Sequence, residues 1–235
     1  MRSIAQNLQA VLENIEKIRV KNNLRQEIKL IAVSKTFPAD AVKQAYAAGQ
    51  LVFGENKVQE GEQKKNELSK LPLEWHLIGH LQTNKAKKAA EIFDWIHSVD
   101  SFKLAEKISK ACAEFNKTIS ILIQVNTSGE ASKSGLNPDL NLIKEEIEKI
   151  KIMPNILLKG FMTIGPLSED PKRIRESFVL LRNIREKMQA AYPDLNLTEL
   201  SMGMSGDYEI ALEEGSTYVR VGSAIFGQRS YQIVS

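Results

Sequence analysis

A lysine closes the first apolar run of this chain. In "KLIAVSKTFP", residues 29–38, Leu30 to Val33 read as a buried strand, and Lys35 follows at its C-terminal end before a proline-led turn. An amine in that place either snorkels into water or attacks a carbonyl. To attack an aldehyde it must be unprotonated, so its free pKa of about 10.4 has to fall; desolvation and a neighbouring cation both push it down. Arg220 in "YVRVGSAIFG" supplies a cation on the last apolar run, which in a closed barrel lies beside the first. Arginine keeps its charge, so burial calls for a carboxylate in the barrel or for a ligand acceptor. Gly222 and Ser223 then lead into a short helix whose free N–H groups would seat a phosphate. "LSMGMSGD" adds Ser201, Gly203, Ser205 and Gly206 at the preceding strand end. Singly, these pieces read as glycine turns with helix caps. Together, around one barrel mouth, they describe a phosphorylated aldehyde ligand.

The elements that must position these residues alternate. Short apolar runs at 29–35, 51–54, 74–79, 95–99, 119–125, 157–164, 198–202 and 218–221 predict strands. Amphipathic patterns at 38–48, 56–69, 84–92, 102–115, 138–151, 170–191 and 206–214 predict helices, and a further short one begins near Gly222. Pro38 suits a first helical turn, and Gly49 and Gly215 suit C-terminal caps. Eight strands at intervals of roughly 25–30 residues predict a single-domain (β/α)8 TIM barrel over 1–235, with functional groups at the C-terminal strand ends. The open doubly wound sheet is the alternative, but Gly-x-Gly-x-x-Gly is missing after the first strand. The N-terminal segment carries Ile4, Leu8, Val11, Leu12, Ile15 and Ile18 at helical spacing, an amphipathic helix and not a signal peptide. The small, polar loop 129–138 is expected to be mobile.

Composition narrows the function classes. The chain has 235 residues, 43% hydrophobic and 26% charged, enough for a sizeable core. A net charge of +3 does not mark a nucleic-acid binder. The single cysteine, Cys112, excludes an internal disulfide and fits a reducing cytoplasm. No apolar run approaches the roughly 20 residues of a membrane span. His76 and His80 would sit roughly 13 Å apart along a strand, too far to share a metal, so His76 reads as a strand residue and His80 as lining the mouth. "NKAKK", 84–88, reads as a solvated helix face, Cys112 as packing.

Six stretches, "AVSKT" (32–36), "FGENKVQE" (53–60), "WHLIGHLQTNK" (75–85), "GFMTIG" (160–165), "LSMGMSGD" (200–207) and "VRVGSAIFG" (219–227), resemble in order the YggS/PROSC family of pyridoxal-phosphate homeostasis proteins. The resemblance implies the fold-type III pyridoxal-phosphate barrel, similar to the N-terminal domain of alanine racemase. It implies pyridoxal 5'-phosphate (PLP) as cofactor, held as a Schiff base on Lys35. By the same carry-over Arg220 lies at the pyridine nitrogen, Ser201, Gly222 and Ser223 at the phosphate, and Asn56 close to the ring.

An arginine at the pyridine nitrogen favours the unprotonated ring and weakens it as an electron sink. Racemisation needs acid–base groups on both substrate faces. Lys35 can serve one; of the tyrosines at 46, 192, 208, 218 and 231, only Tyr208 and Tyr218 are placed near a mouth by this reading. A cytoplasmic carrier or buffer of PLP with little turnover is therefore expected, with apo-enzymes as candidate recipients and no assigned catalytic residue. A racemase-like PLP enzyme and a class I aldolase-like barrel are the alternatives. A complete barrel needs no partner for its core, so a monomer is expected.

Overall fold

Each of the eight apolar runs becomes a strand that pairs in parallel with the runs before and after it, and the last returns to the first. In the computed structural model, which describes residues 2–228, the strands are β1 (Lys29–Val33), β2 (Val52–Glu55), β3 (Glu74–Leu77), β4 (Trp95–Val99), β5 (Ile119–Gln124), β6 (Ile156–Met162), β7 (Glu199–Met204) and β8 (Tyr218–Val221). They close a barrel in chain order, β8 pairing β1 with Lys29 opposite Tyr218 and Ile31 opposite Arg220. Residue 1 and residues 229–235, including Tyr231, lie outside the described residues.

The barrel fixes which side chains look inward. Leu30, Ala32, Phe53, Trp75, Leu77, Val219 and Val221 join the large cluster between strands and helices. Ile31, Val33, Ile78 and Tyr218 form a separate cluster inside the barrel. The outer layer is α1 (Ile4–Lys21), α2 (Ala39–Ala47), α3 (Val58–Glu67), α4 (Ala86–Ile92), α5 (Phe102–Glu114), α6 (Leu140–Ile150), α7 (Pro171–Ala191), α8 (Tyr208–Glu213) and the short α9 (Ser223–Phe226). The N-terminal α1 begins with a capping box between Ser3 and Gln6 and buries Leu8, Val11, Ile15 and Ile18. Among the described residues no helix is long and apolar enough to cross a membrane.

Several helices start later than periodicity predicts. Pro38 is the N-cap of α2 and not a residue of its first turn, because its ψ of 163° is extended. Asn56 and Lys57 stay outside α3, Lys57 being extended at φ −125° and ψ 136°. Gly206 and Asp207 stay outside α8, in a turn where Met204 N donates to Asp207 Oδ1 at 2.5 Å. Each delay keeps a strand-end residue on the barrel rim.

The β5–β6 register slips by one residue between Ile121 and Leu122, so that Leu122 faces Gly160. Gly160 takes φ 149°, and a Cβ there would stand 2.0 Å from the Glu199 carbonyl oxygen. Backbone cannot yield as a side-chain tip can. Gly160→Ala should therefore cost about 3 kcal/mol or more of stability in urea unfolding, whereas Gly206→Ala, which meets open space at an ordinary φ, should change it by less than about 0.5 kcal/mol.

Candidate functional site

At the C-terminal ends of the strands the barrel opens into a cavity of about 390 Å³ lined by Lys35, Asn56, His80, Ser205, Gly206, Arg220, Gly222 and Ser223 and by the apolar Val33, Ile78, Ile164 and Met204. Five of the six sequence-predicted site residues, Lys35, Asn56, Arg220, Gly222 and Ser223, meet there.

Lys35 stands where β1 turns away. Ser34 N still donates to Gly54 O at 3.1 Å, continuing the pairing with β2. Thr36 then takes φ 68°, with its N–H donating to Glu60 Oε2 at 2.9 Å. A buried ion pair holds this turn from outside the barrel. Lys64 Nζ donates to Glu55 Oε1 and to the Ser34 carbonyl, both at 2.6 Å, and Ser34 Oγ donates to the same Glu55 oxygen at 2.6 Å. Burial pushes the Glu55 carboxyl up, and Lys64 and Ser34 pull it partly back. Among the described residues Glu55 Oε2 accepts no hydrogen bond.

Arg220 points inward from β8 and is 4% exposed. Its Nη1 donates to Ser201 Oγ at 2.7 Å and its Nη2 to the Thr163 carbonyl at 2.8 Å. Both acceptors are neutral. Burial pushes the guanidinium down to about 10, with the Asp207 charge opposing, so it remains a cation at neutral pH.

Ser201 departs from its expected place at a phosphate. It is fully buried below the rim, its hydroxyl between Arg220 Nη1 and His97 Nδ1, the latter at 2.8 Å. The cavity-lining hydroxyl of this strand end is Ser205, four residues on, which accepts from Gly222 N at 3.3 Å. The two tyrosines also depart. Tyr218 begins β8 at the opposite, N-terminal end of the barrel, ringed by His76, Trp95 and His97. Tyr208 packs outside the barrel, its hydroxyl accepting from Asn14 Nδ2 of α1 at 2.7 Å. Neither lines the cavity.

His80 does line it, and its Nδ1 lies 3.6 Å from Asp100 Oδ2, a carboxyl that burial pushes up. His76 is fully buried on β3. In the cationic run, Lys87 pairs with Glu114, and Lys88 with Glu62 and Glu91, on exposed helix surface. Sequence reading missed the Glu55–Lys64 pair, Thr163 and His97. The only signals were a glutamate and a histidine inside otherwise apolar strands.

A family model described as alanine racemase, N-terminal domain, matches residues 6–230. The chain is 43% identical to the pyridoxal phosphate homeostasis protein of Vibrio cholerae over 98% of both chains. It belongs to the family of pyridoxal phosphate homeostasis proteins. A solved member, PipY of Synechococcus elongatus PCC7942 with PLP bound, superposes with a TM-score of 0.84 at 40% identity, covering 96% of this chain and all of that one. Alanine racemase of Clostridium difficile 630 shares the fold at 15% identity and a TM-score of 0.76, this chain covering 61% of its length. The (β/α)8 barrel of this family is thus the one found in the alanine racemase N-terminal domain.

The ion pair under Lys35 gives a signed prediction. Lys64→Met leaves a buried carboxylate alone, at a cost of about 3–5 kcal/mol. Burial already holds the folded-state pKa of Glu55 above the ordinary carboxyl value, and losing Lys64 raises it further. The folded protein then binds more protons than the unfolded chain above that value, so stability falls as pH rises through the folded pKa. The deficit of Lys64→Met, measured by urea unfolding, should be larger at pH 8 than at pH 5.

Proposed function

We propose that this chain binds PLP at the barrel mouth and serves as a carrier or buffer of that cofactor. The observation that carries the reading is that an amine at a strand end and a buried guanidinium that, among the described residues, donates to neutral acceptors line one cavity of about 390 Å³. That volume lies within the roughly 300–1,000 Å³ of small-molecule sites. The donor set fits PLP: Lys35 for the aldehyde, Arg220 for the pyridine nitrogen, Ser205, Gly206, Gly222 and Ser223 for the phosphate, and Asn56 beside the ring. Lys35 would hold the aldehyde carbon covalently, its nitrogen replacing the carbonyl oxygen with loss of water. When bound, PLP supplies an electron sink to amino compounds. Arg220 limits that sink, because a fixed cation disfavours a proton on the facing pyridine nitrogen.

The names of the relatives, and PipY solved with PLP, support this reading. We place the protein in the cytoplasm as a monomer, with apo-enzymes that use PLP as recipients and turnover of its own negligible. A buried, unbridged Cys112 suits that compartment.

Racemase-like activity is the second reading, and one observation favours it: His80, paired with Asp100, lines the cavity with Lys35, so two proton carriers are available. Incubation with single-enantiomer amino acids in deuterated water separates the readings. A carrier shows no α-proton exchange above that of free PLP; exchange at enzyme-like rates, abolished by His80→Asn, would establish the enzyme.

The anchor itself is tested by absorption and mass. The wild-type protein should turn yellow with PLP and, after borohydride reduction, carry the PLP adduct on the peptide containing Lys35. Lys35→Ala should do neither. A colourless wild-type protein with no adduct would overturn the cofactor reading.

A further inference from the structure

The hydrogen bonds behind Arg220 do not stop at Ser201. Ser201 Oγ lies 2.8 Å from His97 Nδ1, His97 Nε2 lies 2.8 Å from His76 Nδ1, and His76 Nε2 lies 2.7 Å from Glu74 Oε1. Ser201, His76, His97 and Arg220 are buried. Glu74 is the first residue of β3, at the N-terminal end of the barrel, and its side chain is 43% exposed. A polar thread therefore runs through the barrel from the cofactor cavity to solvent at the other end. Barrels of this architecture are ordinarily filled by branched apolar side chains, and a polar network left half satisfied is worse than an apolar core.

The chemistry of the two ends dictates the hydrogens between them. Arginine only donates, and an ionised carboxylate only accepts. Burial holds both histidines below the ordinary imidazole value, His97 further still, because a proton on His76 and the Arg220 charge would each oppose a second proton on His97. Each is neutral at pH 7, with one N–H. Glu74 needs that hydrogen on His76 Nε2, which leaves His76 Nδ1 to accept from His97 Nε2. His97 Nδ1 must then accept from the Ser201 hydroxyl, whose lone pair receives Arg220 Nη1. Reversed, the thread would point both His97 Nδ1–H and Arg220 at the Ser201 oxygen, and the serine hydrogen would need a new acceptor.

We propose that Glu74 is a remote positioning residue for the cofactor cavity: through His76, His97 and Ser201 it fixes the acceptor that holds Arg220 in place. The proposal rests on reading that cavity as a PLP site. The other charged groups around the thread are Lys29 of β1, whose Nζ lies 3.5 Å from Tyr218 Oη, Asp94 before β4, and Glu27 and Glu199, which face Tyr218. None of these makes a hydrogen bond to His76 or His97 among the described residues.

The chain has three histidines, which suits side-chain nitrogen–proton correlation spectra of the full-length protein at pH 7, before and after addition of PLP. His76 and His97 should both carry hydrogen on Nε2 alone. In Glu74→Leu a share of His97 should move to the Nδ1–H form, and PLP should bind about fivefold more weakly, the effect of one hydrogen bond. Glu74→Gln, whose amide oxygen still accepts, should restore both. Ser201→Ala should weaken PLP similarly, and adding Glu74→Leu to it should change nothing more. Unchanged tautomers in Glu74→Leu, or losses that add in the double variant, would overturn the proposal. Failure of the wild-type protein to take up PLP would sink the cofactor reading instead, and the tautomers would still decide whether Glu74 sets the thread.

Discussion

A guanidinium buried in a closed barrel cannot shed its charge, and the arrangement of the strands around it follows from that constraint. Arg220 needs acceptors on the strands that curve towards it, which it finds in the Ser201 hydroxyl and the Thr163 carbonyl. Ser201 then needs an acceptor of its own, and the demand passes through two histidines to a carboxylate that can meet water. Each step exchanges one unsatisfied group for another until solvent is reached, as a low-dielectric interior requires. On the proposed function, the side of Arg220 that lines the cavity is what an acceptor atom of the ligand would meet.

The amine at the rim is held by a different device. Lys35 leaves β1 through a turn whose neighbouring carbonyl, that of Ser34, is gripped by Lys64, itself paired with Glu55. That pair lies outside the strands, beneath α3, and never touches the cavity. It is costly to bury, and its return is geometric: two adjacent strands and a helix are tied at the point where the chain must present an amine. The rim is thus built from separate supports, one inside the barrel for Arg220 and one outside it for Lys35.

The barrel could be read from the sequence because its strands are buried on both faces and stand out as short apolar runs between amphipathic ones. Lys35 and Arg220 could be read because charges at the ends of such runs are conspicuous. Where residues share a short polar stretch, the reading fails: Ser201 and Ser205 differ by four positions, and only the path through Gly203, at φ 91°, sends the first inward and the second to the rim. Tyr218 was misplaced because a strand of four residues carries no sign of which end is the mouth for each side chain. Supports such as Glu55–Lys64 and His76–His97 join residues 9 and 21 positions apart, and no local pattern reports a partner at that distance.

Rigidity below and openness above bear on what such a site can do. Arg220 and its supports are buried and hydrogen-bonded, while the rim is wet: the His80 side chain is 54% exposed and Met204 39% exposed. Enzymes that stabilise carbanions gain from excluding water. A carrier has the opposite need, because freeing an aldehyde from a lysine consumes a water molecule at that carbon. A floor that fixes the ring and a mouth that admits water would hold a cofactor in one orientation and still allow hydrolysis to release it.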